Sequence, residues 1–224
     1  MQPTLLVTDF AGTTMRDDGT VLAAYRVALD EFQIPFTEED LATRRGASKR
    51  AVFRELAARS HARDDVNAVA ERALQRFERA LREQYETGDV AEVSGAEVAL
   101  RLLKRAGIKL ALTTGFDRGL LDLLVSRLAW GKLFDLTLAS NDAPAGRPAP
   151  FLIYRAMIDL NIGDVRRVAV LGDTPLDLQS GTNAQAGWVI GVLSGAHSIE
   201  TLGSTPHTHL LPSVADLPRL LGLG

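Results

Sequence analysis

The chain has 224 residues, 46% hydrophobic and 24% charged, with a net charge of −3 and no cysteine. This length suits one α/β core, or a core with a small second domain, and the weak negative charge provides no electrostatic footprint for nucleic acid. The lack of cysteine excludes disulfides, thiolate metal sites and a thiol nucleophile and suits the cytoplasm; with no basic leader and no run near the roughly 18 apolar residues of a membrane helix, neither a signal peptide nor a membrane partner is expected.

The first element is the run Thr4 to Thr8, which ends in Asp9 and is followed by Ala11, Gly12, Thr13 and Thr14. An apolar run of this kind reads as a buried strand of a parallel sheet, and in such sheets chemistry sits just past the carboxyl ends of the strands. Gly12 permits a tight turn whose peptide N–H groups can face an anion. Helical spacing follows. The pattern predicts helices over Val21 to Phe32, stopping before Pro35, and over Ser48 to Arg59. A longer one carries the stripe Val66, Val69, Ala70, Ala73, Leu74, Phe77, Ala80 and Leu81, with charges opposite. No strand is expected between Asp9 and Ile108, so residues 16–89 read as an all-helical insertion between 1–15 and 90–224.

Helix and strand then alternate. Ser94 can cap a helix to Arg105, and Ile108 to Gly115 is a second strand ending in hydroxyls and glycine. Asp117 to Leu128 reads as a helix, Leu133 to Ala139 holds a short strand, and a loop from Ser140 to Pro148 leads to a helix from Ala149 to Leu160. Arg167 to Leu171 is a strand running into Gly172-Asp173-Thr174-Pro175-Leu176-Asp177, followed by a helix to Ala184 and a strand from Trp188 to Val192. The tail adds a short helix, an edge strand near Thr208 to Leu211 and a last helix. The alternation predicts a doubly wound parallel sheet flanked by helices.

Asp9, Thr114, Arg147 and Asp173 all lie at or just beyond strand ends of this sheet. Thr114 can donate to a phosphoryl oxygen, and Arg147 offers a positive fork suited to phosphate. Asp9 and Asp173 can share Mg²⁺, which favours a few carboxylates plus phosphate oxygens and water. A carboxylate can also attack phosphorus when cationic charge offsets the repulsion. Asp177, one turn after Asp173, can reach the metal through water or cap its helix.

In their order these four motifs resemble the haloacid dehalogenase superfamily: Asp9 the first, Thr114 the second, Arg147 the basic residue, and Asp173 with Asp177 the fourth, Gly-Asp-Thr-x-x-Asp. The resemblance implies a Rossmann-like core with a helical cap inserted after the first motif, and small organophosphate or organophosphonate substrates. It implies an aspartate nucleophile at Asp9, phosphate contacts from Thr114, Gly115 and Arg147, and Mg²⁺ held by Asp9, Ala11 and Asp173. It also allows a homodimer formed through the cap.

Most phosphatases of that superfamily carry Asp where this chain has Ala11. Without that acid, expulsion of an alkoxide is slower by about 10²–10⁴. The run Asp9-Phe10-Ala11-Gly12-Thr13-Thr14 and the run Gly146-Arg147-Pro148-Ala149-Pro150 resemble the phosphonatase branch, phosphonoacetaldehyde hydrolase and its relatives. There a cap lysine forms a Schiff base with the substrate aldehyde, and the matching residue is Lys49, after Arg45 and Gly46. Arg44, Arg45 and Arg50 would favour its neutral form. Arg45 and Val52 replace the branch's Met and His, so an alternative stands beside it: Lys49 and Arg45 bind a substrate anion in a phosphomonoesterase or phosphosugar phosphatase. Retention of both Asp173 and Asp177 argues against a metal-free dehalogenase, and the intact Asp9 argues against a non-catalytic phospho-ligand binder. His207 and His209 would face one side of a strand but lack a third metal ligand, Trp130 and Trp188 read as packing residues, and Asp117 and Arg118 as helix-start residues.

Overall fold

The aliphatic runs become six parallel strands in the computed structural model, which describes residues 2–60 and 65–223. In chain order the elements are β1 (Leu5–Thr8), α1 (Thr20–Glu31), α2 (Glu38–Thr43), α3 (Lys49–Ala57), α4 (Val66–Thr87), α5 (Ala96–Arg105), β2 (Lys109–Thr113) and α6 (Arg118–Arg127). They continue with β3 (Leu136–Leu138), α7 (Phe151–Asp159), β4 (Val168–Gly172), α8 (Pro175–Asn183), β5 (Trp188–Val192), α9 (Ile199–Gly203), β6 (His209–Leu211) and α10 (Leu217–Leu220). The chain divides into two compact units, 1–16 with 90–224, and 17–89. Met1, Gly224 and the stretch 61–64, which the sequence-based boundaries include, lie outside the described residues.

The first unit holds the sheet, in the order β3-β2-β1-β4-β5-β6 with every pair parallel. This is a Rossmann-like, doubly wound α/β fold. The chain builds outward from β1 to β3, then returns to β1's other side as β4, so the switch in strand order falls between β1 and β4. Val7 is level with Ala111 of β2 and Val170 of β4, and all four β1 residues are buried. One face packs Leu5, Val7, Val168 and Val170 against Leu152, Ile153 and Ala156 of α7. On this register the carboxyl ends of β2, β1 and β4 fall side by side.

Ser94 does not cap α5. Gly95 takes the cap position at φ 79°, and the Glu92 carboxylate accepts the Glu97 N–H at 2.7 Å. A carboxylate three residues before the cap position serves the orphan N–H group as a hydroxyl would. His207 lies outside β6, and its Nδ1 sits 2.7 Å from the Thr205 carbonyl, so the two histidines do not share a strand face. His209 stacks on Trp188 with ring centres 5.2 Å apart, while Trp130 is buried between Phe10 and Phe134.

The regular elements of the second unit, 17–89, are all helices among its described residues. Tyr25 of α1, Phe53 of α3 and Phe77 of α4 form its aromatic centre, with ring centres 4.6–5.6 Å apart. The short helix α2 goes beyond the sequence expectation. Its signal is Thr37-Glu38-Glu39-Asp40: Thr37 Oγ1 accepts the Asp40 N–H at 3.1 Å and Asp40 accepts the Thr37 N–H at 2.9 Å, a reciprocal cap. Asp40 also receives both Arg59 nitrogens at 2.8 Å and Arg44 at 3.1 Å.

Candidate active site

β1 ends at Thr8, and the Asp9 N–H still donates to Leu171 of β4 at 2.8 Å, so the pairing with β4 carries one residue further and fixes Asp9 at the switch point. The turn that follows is wound on Phe10. The N–H groups of Thr13, Thr14 and Met15 all reach the Phe10 carbonyl, and that of Gly12 reaches Met15. The Gly12 turn therefore spends its own donors and does not offer them to an anion, as the sequence had suggested. Instead, the peptide N–H groups of Phe10, Ala11 and Gly115 have no backbone acceptor among the described residues.

Asp173 follows β4, and Asp177 lies at the third position of α8. The carboxylate oxygens of Asp9, Asp173 and Asp177 come within 4.8 Å of one another, and all three residues are buried. Gly12 has φ 92°, and a Cβ there would overlap the Asp173 carboxylate, as would one at Gly195 in the loop after β5. Two glycines thus make room for one carboxylate. That loop also ties itself to the site, with Ser194 Oγ donating to the Gly12 carbonyl at 2.9 Å.

Of the two roles left open by the sequence, Asp177 takes the cap of its helix, and it adds an ion pair with Arg147. Its Oδ2 accepts from the N–H and hydroxyl of Thr174, at 3.0 and 2.6 Å, while its Oδ1 lies 2.6 Å from Arg147 Nη1. The same Nη1 donates to Asp9 Oδ1 at 2.6 Å, and Nη2 donates to Thr113 Oγ1 at 3.0 Å. Burial alone would lower the Arg147 pKa, but the carboxylates of Asp177, Asp9 and Asp173 outweigh it and hold the guanidinium charged, above its usual range. Burial pushes the Asp177 carboxyl up to about 6 against the pull of Arg147. Burial raises Asp173 well above the carboxylate range, and the charges of Asp9 and Asp177 add to it. Three buried carboxyl groups face one buried guanidinium, so full ionisation would leave an excess of negative charge, and the raised values of Asp173 and Asp177 express that cost. Their all-oxygen donor set fits a hard divalent cation, which would remove that excess.

Thr114 is buried beside Asp9's strand, its Oγ1 accepting the Phe116 N–H at 3.2 Å, and Gly115 follows in the bend. Two residues emerge that the sequence reading passed over. Thr13 Oγ1 lies 2.9 Å from Asp173 Oδ1 and 3.4 Å from Asp9 Oδ2, and Thr113 holds Arg147. Their signal was the hydroxyl doublets Thr13-Thr14 and Thr113-Thr114 at strand ends. Asp117 caps α6 as expected, accepting from Leu120, and Arg118 reaches Thr137 and Asp142.

In the helical unit, Lys49 opens α3 with its Nζ 5.6 Å from the centre of the Tyr25 ring. Gly46 turns the chain before it at φ 78°. Each arginine expected to charge its surroundings is paired: Arg44 with Glu55 and Asp40, Arg45 with Asp17 at 3.7 Å, Arg50 with Glu71. The uncompensated positive field expected around Lys49 is therefore largely neutralised. Val52 is buried one turn along α3.

The sequence profile of haloacid dehalogenase-like hydrolases matches residues 6–190. The chain belongs to this family. As such a hydrolase it is 35% identical over 108 residues to a phosphonoacetaldehyde hydrolase of Parabacteroides distasonis, a match covering 48% of this chain and 40% of that protein. Among solved structures, a hydrolase from Pseudomonas syringae superposes with a TM-score of 0.86 at 21% identity, covering 98% of each chain. A phosphonoacetaldehyde hydrolase-like protein from Oleispira antarctica superposes at 0.84 with 19% identity, covering 99% of this hydrolase and 92% of that chain. Among the described residues, no helix is long and apolar enough to cross a membrane.

Proposed function

We propose that this hydrolase is a Mg²⁺-dependent, phosphonatase-like enzyme that cleaves the C–P bond of a 2-oxoalkyl phosphonate such as phosphonoacetaldehyde. The observation that carries the reading is Ala11: two residues beyond Asp9 there is no acid to protonate an alkoxide, so a leaving group that needs none fits best. The name of the curated relative, matched over part of its length, supports the same substrate class. In this reading the Lys49 amine condenses with the substrate carbonyl and releases water. Asp9 then attacks phosphorus, the P–C bond breaks, and its electron pair passes into the iminium to leave an enamine on Lys49 and a phosphoryl group on Asp9. Water hydrolyses both, giving phosphate and the dephosphonated carbonyl compound. Thr114, Arg147 and the N–H groups of Phe10, Ala11 and Gly115 bind phosphoryl oxygens. A magnesium ion held by Asp9, Asp173 and the Ala11 peptide would supply the charge that lets two anions meet.

A second reading makes Lys49, with Arg45, an anion clamp in a phosphomonoesterase. It is favoured by the Tyr25 ring, whose face attracts an ammonium, and by the paired arginines. The two readings part on borohydride trapping with phosphonoacetaldehyde and Mg²⁺, followed by peptide mapping. The phosphonatase reading expects a reduced adduct on Lys49, lost together with turnover in Lys49→Arg. No adduct, with Lys49→Arg still active on a monoester, would leave the clamp.

A further inference from the structure

Arginine and carboxylate prefer to pair through two parallel N–H···O bonds, both nitrogens of the fork on both oxygens. Arg147 and Asp9 do not pair in this way. Only Nη1 meets Asp9, and only at Oδ1; Nη2 is turned to the side and donates to Thr113 Oγ1 at 3.0 Å. Thr113 is the last residue of β2, and its hydroxyl donates in turn to the Thr8 carbonyl at 3.3 Å. The acceptor of Nη2 is therefore anchored to the strand that carries Asp9. All three side chains are buried, so water does not offer Nη2 an equal alternative. Among the described residues, Asp9 Oδ2 is left with a single long hydrogen bond, from Thr13 Oγ1 at 3.4 Å.

We propose that Thr113 is a positioning residue: by holding Nη2 it confines Arg147 to a one-nitrogen contact with Asp9 and keeps Oδ2 open for attack. Without this hydroxyl, Nη2 swings onto Oδ2, the pair closes into a fork, and the nucleophile is occupied by its own neighbour. The inference rests on the reading of Asp9 as nucleophile for its effect on turnover, while the seating of the guanidinium can be observed without substrate.

The test compares Thr113→Val, which keeps the branched shape and loses the hydroxyl, with Thr113→Ser, which keeps the hydroxyl. NMR of the ¹⁵N-labelled arginine side chains in the intact protein, assigned through Arg147→Lys, should show separate Nη1 and Nη2 resonances for Arg147 in the wild type. In Thr113→Val those resonances should shift, and in Thr113→Ser they should stay. With para-nitrophenyl phosphate and Mg²⁺, Thr113→Val should lose roughly 10- to 100-fold in kcat with little change in KM, the scale on which misplaced groups act, and Thr113→Ser should recover most of it. Averaged Nη signals in the wild type would overturn the proposal, as would wild-type kcat in Thr113→Val or equal losses in both variants with lowered melting temperatures. If the wild type turns over neither monoesters nor phosphonates while the nitrogen signals behave as described, it is the nucleophile reading that fails, and with it the catalytic half of this inference.

Discussion

Ala11, two residues beyond Asp9, has a methyl side chain and no acidic proton to give. Ala11→Asp supplies a carboxyl at that point, and general acid catalysis is worth about 10²–10⁴ in rate. Turnover of phosphate monoesters should rise by up to that factor, and any C–P cleavage should fall as the added charge crowds Asp9. Paired kcat measurements on the two substrate types check it, and a wild type already fast on monoesters would remove the argument from the leaving group. At this scale the sequence was legible wherever a residue ends an apolar run: Asp9, Thr114 and Asp173 each do so, and Arg147 lies in the loop after a fourth. Thr13 and Thr113 were not legible, because a strand-end hydroxyl has the same local pattern whether it binds a ligand, caps a turn as Thr14 does, or steers a neighbour.

At the scale of elements, α2 and α3 are tied together through Asp40, which caps one helix and receives Arg59 from just beyond the other. Its hydrogen bond from Arg59, followed by that from the Thr37 N–H, holds the carboxyl well below the usual carboxylate range. The folded pKa is thus lower than the unfolded one, so this contribution is complete above the unfolded value of about 3.9 and fades as pH falls toward the folded value. Asp40→Asn should cost about 1 kcal/mol near neutral pH, since it removes the charge that draws in the exposed Arg59 and half-buried Arg44 and weakens the cap of α2. Its melting temperature should also fall less steeply than the wild type's as pH drops below about 4. Parallel slopes for the two proteins in thermal melts would show that Asp40 titrates no differently in the folded state. Helix α2 escaped the periodicity argument because six residues are too few to display a stripe; its capping pattern was the readable sign.

Across the whole molecule, a cation bound among the buried carboxyl groups of Asp9, Asp173 and Asp177 would couple folding to its concentration. An ion that binds only the folded state stabilises by about 2.7 kcal/mol at one hundred times its Kd. Adding Mg²⁺ to chelator-treated protein should therefore raise the melting temperature by several degrees, about 2–4 °C per kcal/mol at this chain length. Asp173→Asn should melt no lower than the wild type without metal, because it removes a carboxyl whose ionisation burial disfavours, and should lose the Mg²⁺-induced rise. Calorimetry with and without Mg²⁺ measures both, and an equal rise in Asp173→Asn would take that residue out of the metal set.

The sequence by itself determined the order of strands and helices, the parallel character of the sheet and which residues stand at strand ends. These are set locally, by hydrophobic period and by the residues that stop each run. Only the tertiary structure decided which strand ends meet. The 3-2-1-4-5-6 order brings residues 9, 113, 147, 173 and 177 together across more than one hundred and sixty positions of chain, and that order depends on which crossovers the helices make. It also decided the charge balance around each cation. Arg147 is shared by two buried carboxylates, while Arg44, Arg45 and Arg50 each find an acid from elsewhere in their unit, a pairing that no spacing along the chain specifies.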